Sequence, residues 1–156
     1  MLSKDCIKVV TKHAIRKGLP IGPAVLNMEY FATCVGIIEN GGRTTGDNRT
    51  TSAEGLYQFV DGSIEPAINR VLRTIPCQPW MAQVLKDKDM DKLTRDQQTL
   101  MFIADILEKR GSDKYTKSIM EGDKKAMLDA YLVLHHTNPD PATRDRAERI
   151  IYERKR

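Results

Sequence analysis

Apolar residues recur at spacings of three and four along most of the chain, the periodicity of helices that bury one face. The clearest stripe comprises Val25, Met28, Ala32 and Val35. It predicts a buried helix that runs from about residue 22 and ends just before a polar stretch. Residues 40–52 are polar and show no periodicity, which is typical of a loop or a short irregular hairpin.

Helix-start signals divide the rest of the chain into further helices. Ser3 can cap a first helix, Ser63 a third, and residues 94–97 have the form of a capping box. Asp140 precedes Pro141 at the start of the last helix, and another helix is predicted from about Asp123. Residues 86–92 are predicted to be a charged connector. At 156 residues, the chain is predicted to form one mainly α domain, residues 1–156, with a polar loop near its middle.

Composition narrows the functional classes. With 40% hydrophobic and 29% charged residues, the chain resembles an ordinary soluble protein. No run of about eighteen apolar residues and no signal peptide is apparent, so no membrane span is expected. Basic residues near the C-terminus are interrupted by acidic ones, which favours a solvated helix face over a nucleic-acid interface. We expect a monomer that does not bind nucleic acid.

Metal and cofactor chemistry have little support in the sequence. Cys6, Cys34 and Cys77 form no metal-type cluster, and the first two are predicted to be buried free thiols. His135 and His136 are adjacent, and adjacent side chains on a helix point about 100° apart, so they rarely share a metal. The histidines are predicted to mark a helix end, and no cofactor or metal is expected.

Glu39 is the strongest candidate for chemistry, because it lies where the apolar helix meets the polar loop. Partial removal from water disfavours the charged form of a carboxyl group, which suits a general acid that cleaves a glycosidic bond. After the loop, Gly55 permits close backbone approach or positive φ, and Leu56 and Phe59 are core anchors. Between them, residues 57 and 58 offer an aromatic ring and an amide for a sugar.

This order of motifs resembles the lysozyme-like lytic transglycosylases, including phage-encoded members. The family shows a helix-ending Glu-Ser-Gly or similar, a loop, and a Gly-Leu-Met-Gln or Gly-Tyr-Gln-Phe segment. Residues 39–42 (Glu-Asn-Gly-Gly) and 52–59 (Ser-Ala-Glu-Gly-Leu-Tyr-Gln-Phe) follow that order here. A later family helix carries Ala-Tyr-Asn. Ala130-Tyr131 matches its first two positions, whereas Leu132 replaces the Asn and Asn40 replaces the commoner Ser.

The resemblance implies a lysozyme-like fold, mainly α with a minimal irregular β-hairpin, and cleavage of bacterial peptidoglycan. Glu39 would protonate the glycosidic oxygen between N-acetylmuramic acid and N-acetylglucosamine. It would then act as a base on the muramoyl hydroxyl or on water. Tyr57 and Gln58, with Gly55 beside them, would line the floor of the sugar groove, and Tyr131 would form the opposite wall.

Alternatives stay open at this point. Asp47, in the polar loop, is a possible second carboxylate for a lysozyme-type hydrolase, although a turn-shaping role is favoured. Glu54 is expected to face solvent or to pair with an arginine. A non-catalytic virion protein that keeps the fold is the rival from another class. A phage enzyme, released at lysis or carried in the virion beside tail proteins, would reconcile a wall substrate with the missing signal peptide.

Overall fold

The computed structural model describes residues 1–46 and 52–155, and this part of the chain is mainly helical and forms one compact domain. Its α-helices are α1 (Lys4–Arg16), α2 (Ile21–Asn40), α3 (Asp61–Leu72), α4 (Pro79–Asp87), α5 (Arg95–Glu108), α6 (Asp113–Met120), α7 (Lys124–Ala130) and α8 (Pro141–Glu153). A 3₁₀ turn, Met90–Lys92, precedes α5, and a π-helical segment, Tyr131–His135, continues α7. Within the described residues the β structure is a single antiparallel bridge between Glu54 and Phe59.

Helix α2 is the central element, and it packs against α1, α5, α6 and α8. Its Met28, Phe31 and Val35 are fully buried, and the ring of Phe31 lies 5.7 Å from that of Phe102 on α5. By length and composition α2 could also cross a membrane, but 56% of its apolar window is buried inside this fold. Burial in a protein core accounts for the same apolarity, and the expectation of no membrane span stays a prediction.

Several helix ends match the sequence signals. Ser3 accepts a hydrogen bond from the backbone N–H of Cys6, and residues 94–97 form the predicted capping box. Asp123 and Asp140 cap α7 and α8 through their carboxylates. Cys6 and Cys34 are buried, as predicted. The predicted starts of α1, α5, α7 and α8 are correct, because each capping side chain bonds a backbone N–H group nearby in the sequence.

Other predicted boundaries were wrong. Helix α3 begins at Asp61, so Ser63 lies inside its first turn and donates to the carbonyl of Val60 rather than capping. Pro66 is then an interior residue of α3. Residues 86–92 were predicted as a connector, but α4 extends to Asp87 and a 3₁₀ turn follows. Helix α6 was not predicted, because its eight residues are largely polar.

The segment that follows the polar loop is attached to the helices by Gln98 of α5. This side chain is fully buried, and its Oε1 accepts from the N–H of Leu56 at 2.7 Å. Its amide nitrogen donates to the carbonyls of Thr44 at 2.9 Å and Leu93 at 3.1 Å. The side-chain amide of Gln98 therefore binds Thr44 in the polar loop and Leu56 after it. These bonds position residues 53–59 beside α2.

Two glycines make this packing possible. A Cβ added to Gly36 on α2 would lie 2.9 Å from Cδ1 of Leu56. Gly55 has a φ of +83°, and a Cβ there would lie 2.5 Å from Oε1 of Gln98. The prediction that Gly55 serves close approach and positive φ is confirmed.

Candidate functional site

Glu39 lies in the last turn of α2, and its side chain is 9% exposed. The helix ends at Gly41 in the left-handed conformation, and the amide of Asn40 donates to the carbonyls of Arg43 and Thr45. These bonds turn the chain away from the helix axis directly after Glu39. The carboxyl group therefore lies at a helix end that is covered by neighbouring elements yet beside a loop.

Tyr131 is the first residue of the π-helical segment, and its hydroxyl donates to Oε1 of Glu39 at 2.7 Å. The residue is fully buried. Burial, together with the charge of Glu39, raises the pKa of Tyr131 well above its ordinary range. The hydroxyl accordingly keeps its proton and acts as a donor. The expected proximity of Tyr131 to Glu39 is present, while its contact with a sugar stays a prediction.

His136 reaches the same oxygen. Its Nδ1 lies 2.9 Å from Oε1 of Glu39 and 3.1 Å from the hydroxyl of Tyr131. The three side chains thus form a closed triangle of hydrogen-bonding atoms. Within residues 1–46 and 52–155, every hydrogen bond to the side chain of Glu39 is made at Oε1. Among these described residues, no hydrogen bond is made to Oε2.

The π-helical segment explains how this triangle forms. The N–H of His136 donates to the carbonyl of Tyr131 at 2.8 Å, an i→i+5 bond that widens the turn. Residues five apart then lie on the same side, so Tyr131 and His136 approach one carboxylate. Such turns occur frequently at functional sites. Arg146 of α8 donates to the carbonyl of Ile38 at 2.7 Å and joins the next helix to the same end of α2.

His135 supports the site from within the core. Its Nε2 lies 2.9 Å from the carbonyl of Tyr57, which can only accept, so Nε2 carries the hydrogen. The rings of Phe59 and Phe102 pack edge-on against it. Burial lowers the pKa of His135 below its ordinary value, which keeps the imidazole neutral. This bond joins the π-helical segment to the chain that follows the loop.

Two of the predicted sugar contacts occupy other roles. Tyr57 is only 2% exposed, its ring stacks on Phe102 with centroids 4.5 Å apart, and its hydroxyl bonds that of Thr99. The core covers most of the Tyr57 ring, and a sugar contact through this residue stays a prediction. Gln58 has a φ of +52°, and its amide nitrogen donates to the carbonyls of Gly46 and Gly55. It braces the loop, and a sugar contact through it stays a prediction.

The other carboxylates do not join Glu39 in the described structure. Asp47, the possible second carboxylate, lies outside the described residues. Glu54 was expected to face solvent or to pair with an arginine. Instead it is half-buried, and its Oε1 accepts from the N–H of Met90 at 2.7 Å. Burial raises the pKa of Glu54.

Glu54, Asp89 and Asp91 bring carboxylate oxygens within 4.8 Å of one another, which is close enough to hold a cation. Their oxygens also bind backbone N–H groups: Asp89 accepts from Asp91 in the same turn, and Asp91 accepts from Gly46 in the polar loop. Holding the turn together accounts for the cluster without a metal ion.

A groove of about 210 Å³ lies between α2 and α5 on another side of the loop segment. It is lined in part by Gly36, Ile37, Leu56, Arg95 and Thr99, and Glu39 is not among its lining residues. This groove is therefore separate from the Glu39 carboxyl group.

Comparisons of the chain with models of known protein families, with curated proteins and with solved structures gave no match.

His135 and His136 were not predicted to belong to this site. Neighbouring side chains on an α-helix diverge, so the sequence predicted a helix end there and no shared metal ion. The π turn places His136 on the same side as Tyr131, so His136 reaches Glu39. His135 instead contacts the backbone carbonyl of Tyr57. The available signal was the position of the pair, four and five residues after Tyr131 on the helix already assigned to the site.

Proposed function

We propose that this chain is a lysozyme-like domain that cleaves the β-1,4 bond between N-acetylmuramic acid and N-acetylglucosamine in bacterial peptidoglycan, with Glu39 as acid and base. The observation that carries the proposal is the carboxyl group of Glu39, which is 9% exposed and bound at one oxygen by Tyr131. The resemblance implies that the Glu at the helix end, Glu39, is the acid, and that the Tyr of the Ala-Tyr pair, Tyr131, forms a wall of the sugar groove. Residues 39 and 131 meet although 92 positions separate them.

The proposed reaction is lytic transglycosylation with a single carboxyl group. Glu39 in its acid form gives its proton to the glycosidic oxygen, the bond to the muramoyl anomeric carbon breaks, and N-acetylglucosamine leaves as an alcohol. The carboxylate then takes the proton of the muramoyl 6-hydroxyl as that oxygen bonds to the anomeric carbon. The product is a 1,6-anhydromuramoyl end, and Glu39 regains the proton it gave.

Among the described residues, which do not include Asp47, the surroundings of Glu39 support a lone acid/base. Tyr131 and His136 are hydrogen-bond partners at Oε1, and the carboxylates of Glu54, Asp89 and Asp91 are engaged with backbone groups of a different turn. A lysozyme-type hydrolase is the alternative, in which water replaces the 6-hydroxyl. It would produce reducing ends, so product analysis separates the two reactions.

The decisive experiment digests purified murein sacculi and identifies the soluble fragments by mass spectrometry. Wild-type protein is expected to release anhydromuramoyl fragments. Glu39→Gln keeps the size of the side chain but cannot transfer a proton, so we expect its rate to fall by about 10²- to 10⁴-fold. Glu29→Gln is the matched control, because Glu29 is a half-buried carboxylate on the same helix that pairs with the N-terminal amine; it should cleave at the wild-type rate.

Each outcome of this digest has a definite meaning. Equal cleavage by wild type and Glu39→Gln would reject Glu39 as the acid, and reducing ends alone would replace transglycosylation by hydrolysis. Wild-type protein that binds sacculi but releases nothing would favour the non-catalytic virion protein. We further propose that the protein is phage-encoded and acts on the cell wall. Detecting it in purified phage particles would distinguish a virion component from a lysis enzyme.

A further inference from the structure

His136 contributes a polar atom to the Glu39 site that the motif resemblance does not include. Its Nδ1 is 2.9 Å from Oε1 of Glu39, and its side chain is 36% exposed. A residue this exposed adds little to the core, so packing does not explain its orientation. The contact of His136 with the Glu39 carboxyl group, which is only 9% exposed, accounts for this orientation instead.

The positions of the hydrogens in the triangle of Glu39, Tyr131 and His136 follow from which of their atoms can donate and which can accept. The hydroxyl of Tyr131 donates to Oε1 of Glu39, and an ionised carboxylate can only accept. Nδ1 of His136 must therefore carry a hydrogen if it is to bind Oε1. With two donors at Oε1, that atom acts as acceptor whether the carboxyl group is ionised or neutral. In the neutral form, the acidic proton is then placed on Oε2.

We propose that His136 is a positioning residue that, together with Tyr131, holds Oε1 of Glu39 and thereby assigns the transferable proton to Oε2. The proposal rests on the function proposed above, because it states which oxygen meets the glycosidic bond. The carboxyl group cannot rotate without breaking both hydrogen bonds. Proton donation to the substrate, and the later recovery of a proton from the 6-hydroxyl, both take place at Oε2.

Other charged groups near His136 have their own partners in the described structure. Asp140, which begins the next helix, accepts from the N–H of Thr143 at 2.7 Å. Arg146 donates to the carbonyl of Ile38, and His135 bonds the carbonyl of Tyr57. Within the described part of the chain, the hydrogen-bond partners of the His136 side chain are Glu39 and Tyr131, which directs Nδ1 to the catalytic carboxyl group.

Two substitutions of His136 separate positioning from packing. His136→Leu removes the donor, and we expect kcat on soluble murein glycan fragments to fall about 10- to 100-fold while KM changes little, since the lost bond acts on the reacting group. His136→Asn offers an amide nitrogen near the position of Nδ1 and should recover most of kcat. Val133→Leu, on the exposed side of the same turn, is the control and should match wild type. Thermal unfolding of each variant checks that the fold is retained.

Equal losses in the Leu and Asn variants would overturn the proposal, as would an unchanged kcat in His136→Leu. A readout that needs no glycan cleavage is the ¹⁵N NMR spectrum of the His136 ring in alkaline buffer. We expect the hydrogen of the neutral ring on Nδ1, and a ring with its hydrogen on Nε2 would contradict the proposal. If wild type fails to cleave murein, the proposed function falls, and the tautomer alone decides whether His136 holds Oε1.

Discussion

Tyr131 supplies the shortest hydrogen bond to the candidate acid, so its hydroxyl can be tested separately from its ring. In Tyr131→Phe the buried ring stays, and among the described residues His136 is then the one hydrogen-bond donor to Oε1 of Glu39. We expect murein cleavage to fall about tenfold, less than for loss of the acid itself. Stability should fall by about 1–2 kcal/mol, because a buried hydrogen bond is lost. Turbidity loss of sacculi and urea unfolding measure the two effects.

Tyr152→Phe is the control for that substitution, because Tyr152 is 44% exposed on α8. It should change neither cleavage nor unfolding. If Tyr131→Phe cleaves murein as fast as wild type, the hydrogen bond to Glu39 has no part in the reaction, and Tyr131 is a core residue only.

Among the elements, the loop segment depends on one buried amide. Gln98→Met keeps the length of the side chain but leaves the N–H of Leu56 and the carbonyls of Thr44 and Leu93 without their partner. We expect unfolding to become easier by about 2–4 kcal/mol, since each buried backbone group left unpaired costs about 1–3 kcal/mol. Gln83→Met on the exposed face of α4 is the matched control. Similar unfolding midpoints for the two variants would show that Gln98 does not secure the segment.

The elements also show what sequence can and cannot predict. Helix starts at Ser3 and Asp140 were predictable, because each cap is a bond between residues three apart. The position of Glu39 at the end of α2 followed from apolar periodicity. The π turn was not predictable, because i→i+5 bonding leaves no periodic signature. The contact between Glu39 and His136 spans 97 positions and depends on how α7 and α8 pack on α2.

For the molecule as a whole, buried charges join α1, α3 and α5. Asp105 and Glu108 of α5 have side chains that are only 3% and 6% exposed. Asp105 pairs with Arg70 and Lys109. Glu108 pairs with Lys12 and Arg73, and Nε2 of the His13 imidazole lies 3.8 Å from it. Burial outweighs the attraction of Glu108 and lowers the pKa of His13. The imidazole is therefore neutral near pH 7, and Glu108 is balanced by Lys12 and Arg73.

This arrangement predicts that acid weakens the fold through His13 and His135. Burial lowers the pKa of both below the ordinary value of 6.5, so below pH 6.5 the unfolded chain binds protons that the folded chain does not. The free energy of unfolding is then highest above pH 6.5 and falls as the pH drops towards the folded pKa values, by at most about 1.4 kcal/mol per pH unit for each histidine. Urea unfolding at pH 7 and pH 5.5 measures the loss. His13→Gln and His135→Gln, which bind no proton, should each lose less than wild type between these two pH values. Equal losses in wild type and both variants would show that folding does not lower the pKa of either imidazole.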